Sequence, residues 1–111
     1  MGKHANDRLQ GTLDLLILKT LSRSGPLHGY GLAQRIHAQS DEMLQIEDGS
    51  LYPALHRMTG DKWLKAHWGV TDTNRKARFY EITAAGRKQL REEEKNWSYL
   101  IDAVGRMLRY A

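Results

Sequence analysis

Pro53 interrupts the stretch DGSLYPALHRM, residues 48–58, in which Leu51, Leu55 and Met58 recur at the three- and four-residue spacing of one helical face. Proline has no N–H to donate, so a helix accepts it only in the first turn, where that donor lacks an intrahelical partner. A helix must therefore begin close to residue 50, with Ser50 as its N-cap and Pro53 at the third helical position. Its opening turn would present the Ser50 hydroxyl, the Tyr52 phenol and backbone N–H groups, backed by the positive end of the helix dipole, an arrangement that suits an anion. His56 and Arg57 fall away from the apolar face, within reach of a ligand.

The charge distribution points to the same segment. The chain of 111 residues carries a net charge of +4, but residues 49–88 hold eight Lys/Arg against three Asp/Glu, whereas residues 1–48 hold five against six and residues 89–111 four against four. A surplus confined to one segment suits a polyanionic partner, since Lys and Arg contacts to phosphate dominate non-specific nucleic-acid affinity. A solvated basic face is the alternative.

Upstream, GTLDLLILKTLSRSGP, residues 11–26, predicts a helix capped by Thr12 and ended by Gly25-Pro26, with Leu13, Leu16, Ile17 and Leu21 as its stripe and Leu15 and Leu18 outside it. Residues 29–39 predict a shorter helix with Tyr30, Ala33 and Ile36 inward. The HGYG spacing there is no dinucleotide loop, because Gln34 occupies the third glycine position and no strand precedes it. Downstream, WLKAHW (63–68) and ARFYEIT (77–83) read as two strands joined by the polar tip GVTDTNRK. The basic residues Lys65, Arg75, Lys76 and Arg78 make this ribbon a candidate for a DNA groove or backbone, although many hairpins carry such residues for solubility alone.

Thr83 is placed to cap a helix running to about Arg109, on which Leu90, Trp97, Ile101, Val104 and Leu108 follow an approximate coiled-coil seam. A small domain has little core left to bury such a seam, so a second copy is the expected cover; folding back on the first helix is the alternative. Trp97 is either an anchor of that interface or a stacking surface for a flat effector.

Taken in order, GTLDLLILKTL, PLHGYGLAQRI, DGSLYPALHRM and FYEITAAGRKQL resemble the PadR family of bacterial transcriptional regulators, over residues 9–91. The resemblance implies a mainly α fold with a small β-hairpin: a winged helix-turn-helix over residues 1–83 and a long C-terminal dimerisation helix over 84–111. It further implies a homodimeric repressor whose helix at 50–60 reads DNA, with a small aromatic or cationic effector in some members. Ser50, Leu51, Tyr52 and Pro53 match the recognition-helix block, Tyr52 as DNA contact and Leu51 as core anchor. Tyr80, Thr83 and Gly86 match the block that closes the wing. Lys62 departs from the pattern, since members usually have glycine there. A left-handed residue costs lysine roughly 1 kcal/mol, unless Gly60 takes over the turn.

Other chemistries are disfavoured. With no cysteine, and with histidines 4, 28, 37, 56 and 67 at no metal-ligand spacing, neither a metal site nor a cofactor is expected. No nucleophile elbow or glycine-rich cradle suggests an enzyme. The longest apolar run, residues 15–18, is far below the ~20 residues of a membrane span, and the amino terminus shows no signal-peptide pattern, so a cytoplasmic protein is expected. The expected ligand is double-stranded DNA bearing an inverted repeat, contacted by Ser50, Tyr52, His56 and Arg57 with the basic ribbon: Tyr52 on phosphate, His56 and Arg57 on base edges. A winged-helix module that binds another protein is the alternative.

Overall fold

The computed structural model describes the backbone of residues 2–109 and the side-chain surroundings of residues 11–109. The side chain of His4, and the last two residues of the expected terminal helix, lie outside that description. The elements follow as α1 (Gly2–Ser24), β1 (Leu27–His28), α2 (Gly29–Gln39), α3 (Asp48–Gly60), β2 (Leu64–Val70), β3 (Lys76–Ile82) and α4 (Ala84–Arg109). β2 and β3 form the expected antiparallel hairpin, with Ala66 opposite Tyr80 and Trp68 opposite Arg78. The short β1 adds a third strand on the far side of β3, pairing Leu27 with Tyr80 and His28 with Phe79.

α1 is the hub of the core. It touches α2, α3, α4 and β3, so more than one stripe of it is covered. Leu18, expected outside the apolar stripe, is fully buried with Ile17 and Leu21, while Leu16 is only half-buried. Against them pack Leu32 and Ile36 of α2, Leu51, Leu55 and Met58 of α3, Leu64 of β2, and Tyr80 and Ile82 of β3. Each such burial contributes about 1.5–3 kcal/mol.

Several local expectations need correcting. Thr12 lies within α1, which begins upstream of it, and so is not a cap. Tyr30 is exposed, and Leu32 takes its place inside, because α2 buries the row Gly29, Leu32 and Ile36. α3 starts at Asp48 with Glu47 as N-cap and no side-chain cap bond, so Ser50 lies inside the helix and Pro53 reaches the second turn. Proline there removes the bond to the carbonyl of Gly49. Gly49 is exposed and has open space around its α-carbon, so water can reach that oxygen and the helix continues.

The end of α3 resolves the Lys62 question. Gly60 stays helical and Lys62 itself takes the left-handed conformation, φ 67°. Its N–H donates to Thr59 C=O at 3.1 Å, and the Trp63 N–H donates to Met58 C=O at 3.0 Å, the paired bonds of a Schellman turn. The Thr83 hydroxyl then joins wing to helix: it lies 2.7 Å from the Lys62 carbonyl oxygen and accepts from the Gly86 N–H at 3.0 Å, capping α4. Gly86 is required by this approach, since a Cβ there would collide with the Trp63 carbonyl oxygen.

Candidate nucleic-acid interface

Because α3 buries Leu51, Ala54, Leu55 and Met58, its opposite flank carries Tyr52 and His56 into solvent. Tyr52 is held in place: its ring covers the start of α2, where a Cβ on Gly29 would come within 2.6 Å of it. Partial burial, then the Asp48 carboxylate and the Tyr80 phenol, push the Tyr52 pKa up. At neutral pH the phenol therefore keeps its proton and can donate a hydrogen bond to an anion.

The wing presents its cations through the alternation of the pleat. Tyr80 and Ile82 face the core, so Arg78 and Lys76, two and four residues earlier on β3, share that face where the strand runs past the core. Opposite them on β2 stand Trp68 and Val70. Lys76 Nζ lies 5.4 Å from the Trp68 ring centroid, and the Arg78 guanidinium carbon 6.0 Å. β2, the other strand of this ribbon, packs against α3, and the Tyr80 phenol is near enough to contribute to the raised Tyr52 pKa. Arg75 stands exposed in the tip, which Thr71 organises: its N–H donates to Arg75 C=O at 2.8 Å and its hydroxyl accepts from the Arg75 N–H at 3.1 Å. Asn74 completes the turn with a left-handed φ of 62°, a conformation asparagine tolerates.

Three predicted contacts sit elsewhere. Lys65 alternates with the core-facing Leu64 and Ala66, so it lies on the opposite face of the sheet, with its Nζ 3.9 Å from Glu81. Arg57 turns toward α1 and donates to the buried Asp14 carboxylate at 2.6 Å. Ser50, with Arg57, lines a cleft of about 590 Å³ between α1, residues 44–47 and the front of α3. The anion site expected at the start of α3 is also weakened. The N–H groups of Ser50 and Leu51 already donate to Glu47 C=O, and Asp48 places a carboxylate in the first turn. That carboxylate complements the dipole and opposes a second anion.

On α4, Leu90 is buried in the core of this chain, so the exposed part of the seam starts further along. Trp97, Leu100, Ile101, Val104 and Leu108 are all exposed. The first half of the helix lies along α1, where Lys19 and Glu94 pair at 2.7 Å. Trp97 borders a small cavity of about 260 Å³ with Gly11, Leu15 and Leu100. Sequence reasoning missed Asp14, whose link to Arg57 no local pattern reveals. It also missed Trp68, which alternation with Leu64 and Ala66 would have placed on the cationic face. Among the described residues, no cluster of His, Cys, Asp and Glu could hold a metal ion, and no helix is long and apolar enough to cross a membrane.

Known proteins with this fold point one way. The model of the transcriptional regulator PadR-like family matches residues 17–92. A transcriptional regulator from Clostridium thermocellum shares 26% identity with a TM-score of 0.80, covering 90% of this chain and 96% of that one. A PadR family transcriptional regulator from Eggerthella lenta shares 30% identity with a TM-score of 0.74, covering 96% of this chain and 90% of that one. A transcriptional regulator of Mycobacterium tuberculosis is 36% identical over 69 residues, 62% of this chain and 61% of its own length.

Proposed function

The chain belongs to the PadR-like family of transcriptional regulators, and from that premise we propose that it is a dimeric repressor that binds an inverted-repeat DNA operator. It is a regulator and not an enzyme, as its family and the solved relative from Clostridium thermocellum are. One observation carries the reading: α3, whose solvent flank bears Tyr52 and His56, packs against β2, and the ribbon of β2 and β3 carries the exposed cations Lys76 and Arg78. An exposed helix beside a cationic two-stranded ribbon suits a major groove and its adjoining backbone.

In this reading His56 faces base edges, Tyr52 donates to a phosphate, and Arg75, Lys76 and Arg78 neutralise the backbone. Ser50 stands at the edge of the DNA-facing surface. Arg57 positions α3 through Asp14, and Lys65 adds only to the distant field. The bare seam of Trp97, Ile101, Val104 and Leu108 supports a twofold dimer, which would set two α3 helices about one DNA turn (~34 Å) apart. Trp97 anchors that interface and, beside its cavity, is the place for a flat aromatic or cationic effector.

The test is a gel-shift titration with DNA from upstream of the chain's own gene, at low and moderate salt. A sequence-preferring shift that weakens steeply with salt is expected. A protein that retards no duplex at either salt would count against the DNA reading and favour a module that binds another protein.

A further inference from the structure

Resting on the reading of the α3 and wing face as a DNA surface, we infer that Trp68 is itself part of it. Its indole covers the sugar face of one strand of the duplex and sets Lys76 and Arg78 against the phosphates on either side. Trp68 shares a face with Leu64 and Ala66, which pack inward, but lies past the end of the core and is 62% exposed, more than Trp97 at 41%. Val70, next along that face, is 63% exposed. A tryptophan retained for packing would be covered, because its large apolar ring contributes to the fold only when removed from water.

The ring instead serves the two cations that lie over it. Arg78 stands directly across the ladder, whereas Lys76 is opposite Val70 and reaches back diagonally. Cation–π attraction at an exposed site is modest, but it restricts two long side chains that would otherwise lose more freedom on binding. The outcome is a cation, aromatic, cation patch. A nucleic-acid backbone has the matching order, with charged phosphates separated by the less polar faces of its sugars. An acidic protein surface would match the charges and leave the indole uncovered.

The experiment compares the parent with Trp68→Ala and Trp68→Phe on a random-sequence duplex of about 25 base pairs, over ~50–200 mM salt. Trp68→Ala is expected to bind roughly tenfold more weakly at every salt, the factor that 1.4 kcal/mol represents, with Trp68→Phe between it and the parent. The slope of log affinity against log salt should change little, because Lys76 and Arg78 keep their charges and can still reach the phosphates, at a greater cost in side-chain freedom. Saturating duplex should quench the parent's tryptophan fluorescence, and most of that quenching should vanish in Trp68→Phe, which keeps Trp63 and Trp97. This readout stands even if Trp68→Ala folds poorly. Unchanged affinity in a folded Trp68→Ala, or quenching fully retained in Trp68→Phe, overturns the proposal and leaves the DNA reading intact. A parent that binds no duplex overturns both. Tighter binding to the single strand than to the duplex also overturns it, assigning the indole to an unpaired base.

Discussion

Arg57 Nη2 donates to Asp14 Oδ1 across 2.6 Å, joining α3 to α1 between residues 43 apart in sequence. Asp14 is almost wholly buried and Arg57 about one-third exposed. The pair fixes how α3 sits on the hub of the core.

Arg57→Ala would leave the Asp14 carboxylate buried without its cation. Breaking a buried pair from one side costs about 3–5 kcal/mol, and the partial exposure of Arg57 lowers the expected loss to roughly 2–3 kcal/mol in urea unfolding. Asp14→Leu combined with Arg57→Met should recover most of it. A single-variant loss of only a few tenths would mean that the pair does not hold α3.

Lys62→Gly should stabilise the protein. At φ 67° lysine carries a strain that glycine lacks, and glycine's greater freedom in the unfolded chain offsets only part of the gain. An increase of about 0.5–1 kcal/mol is expected, seen as a higher urea midpoint with an unaltered m-value. A lower midpoint would show that the Lys62 side chain stabilises the fold by more than its backbone strain costs.

Gly86 and Gly60 should respond in opposite ways to alanine. At Gly86 the new methyl meets a backbone carbonyl that cannot yield, so Gly86→Ala should cost at least about 2 kcal/mol. At Gly60, helical and open to solvent, alanine should be neutral or stabilise by up to about 1 kcal/mol. Thermal melts of the two variants side by side settle the contrast.

Ile101→Glu tests the dimer. Ile101 is exposed in the single chain, so the substitution should leave helical content unchanged. At the proposed twofold seam it would place like charges together, expected to weaken association by roughly 3 kcal/mol. Sedimentation should then show monomer at concentrations where the parent is dimeric. An unchanged distribution would place the interface elsewhere.

Removing the charges of Arg75, Lys76 and Arg78 together should weaken binding to every duplex. It should also flatten the dependence of log affinity on log salt by up to about 2.7, near 0.9 for each phosphate no longer neutralised. The Lys65→Gln control, whose side chain lies on the other face of the sheet, should move the slope far less. Equal effects from the two would mean that only total charge matters.

What the chain determined by itself is whatever depends on neighbours in sequence. The buried row of Leu51, Leu55 and Met58, the Thr83 cap and the bare seam on α4 all follow from helical spacing within a few residues, and Lys62 takes the left-handed turn because the end of α3 requires one. Pro53 by itself suggests too late a start for α3, because a solvent-exposed Gly49 lets the helix tolerate a missing bond one turn further in. Tertiary structure alone decided which polar groups share a surface. Lys65 and Arg78 look alike as basic residues of one ribbon, yet the pleat sends one to each side once the core claims Leu64 and Tyr80. Asp14 claims Arg57, and the core claims Leu90. Each of these turns on long-range packing, where burying a charge demands a partner and burying an apolar side chain removes it from any interface.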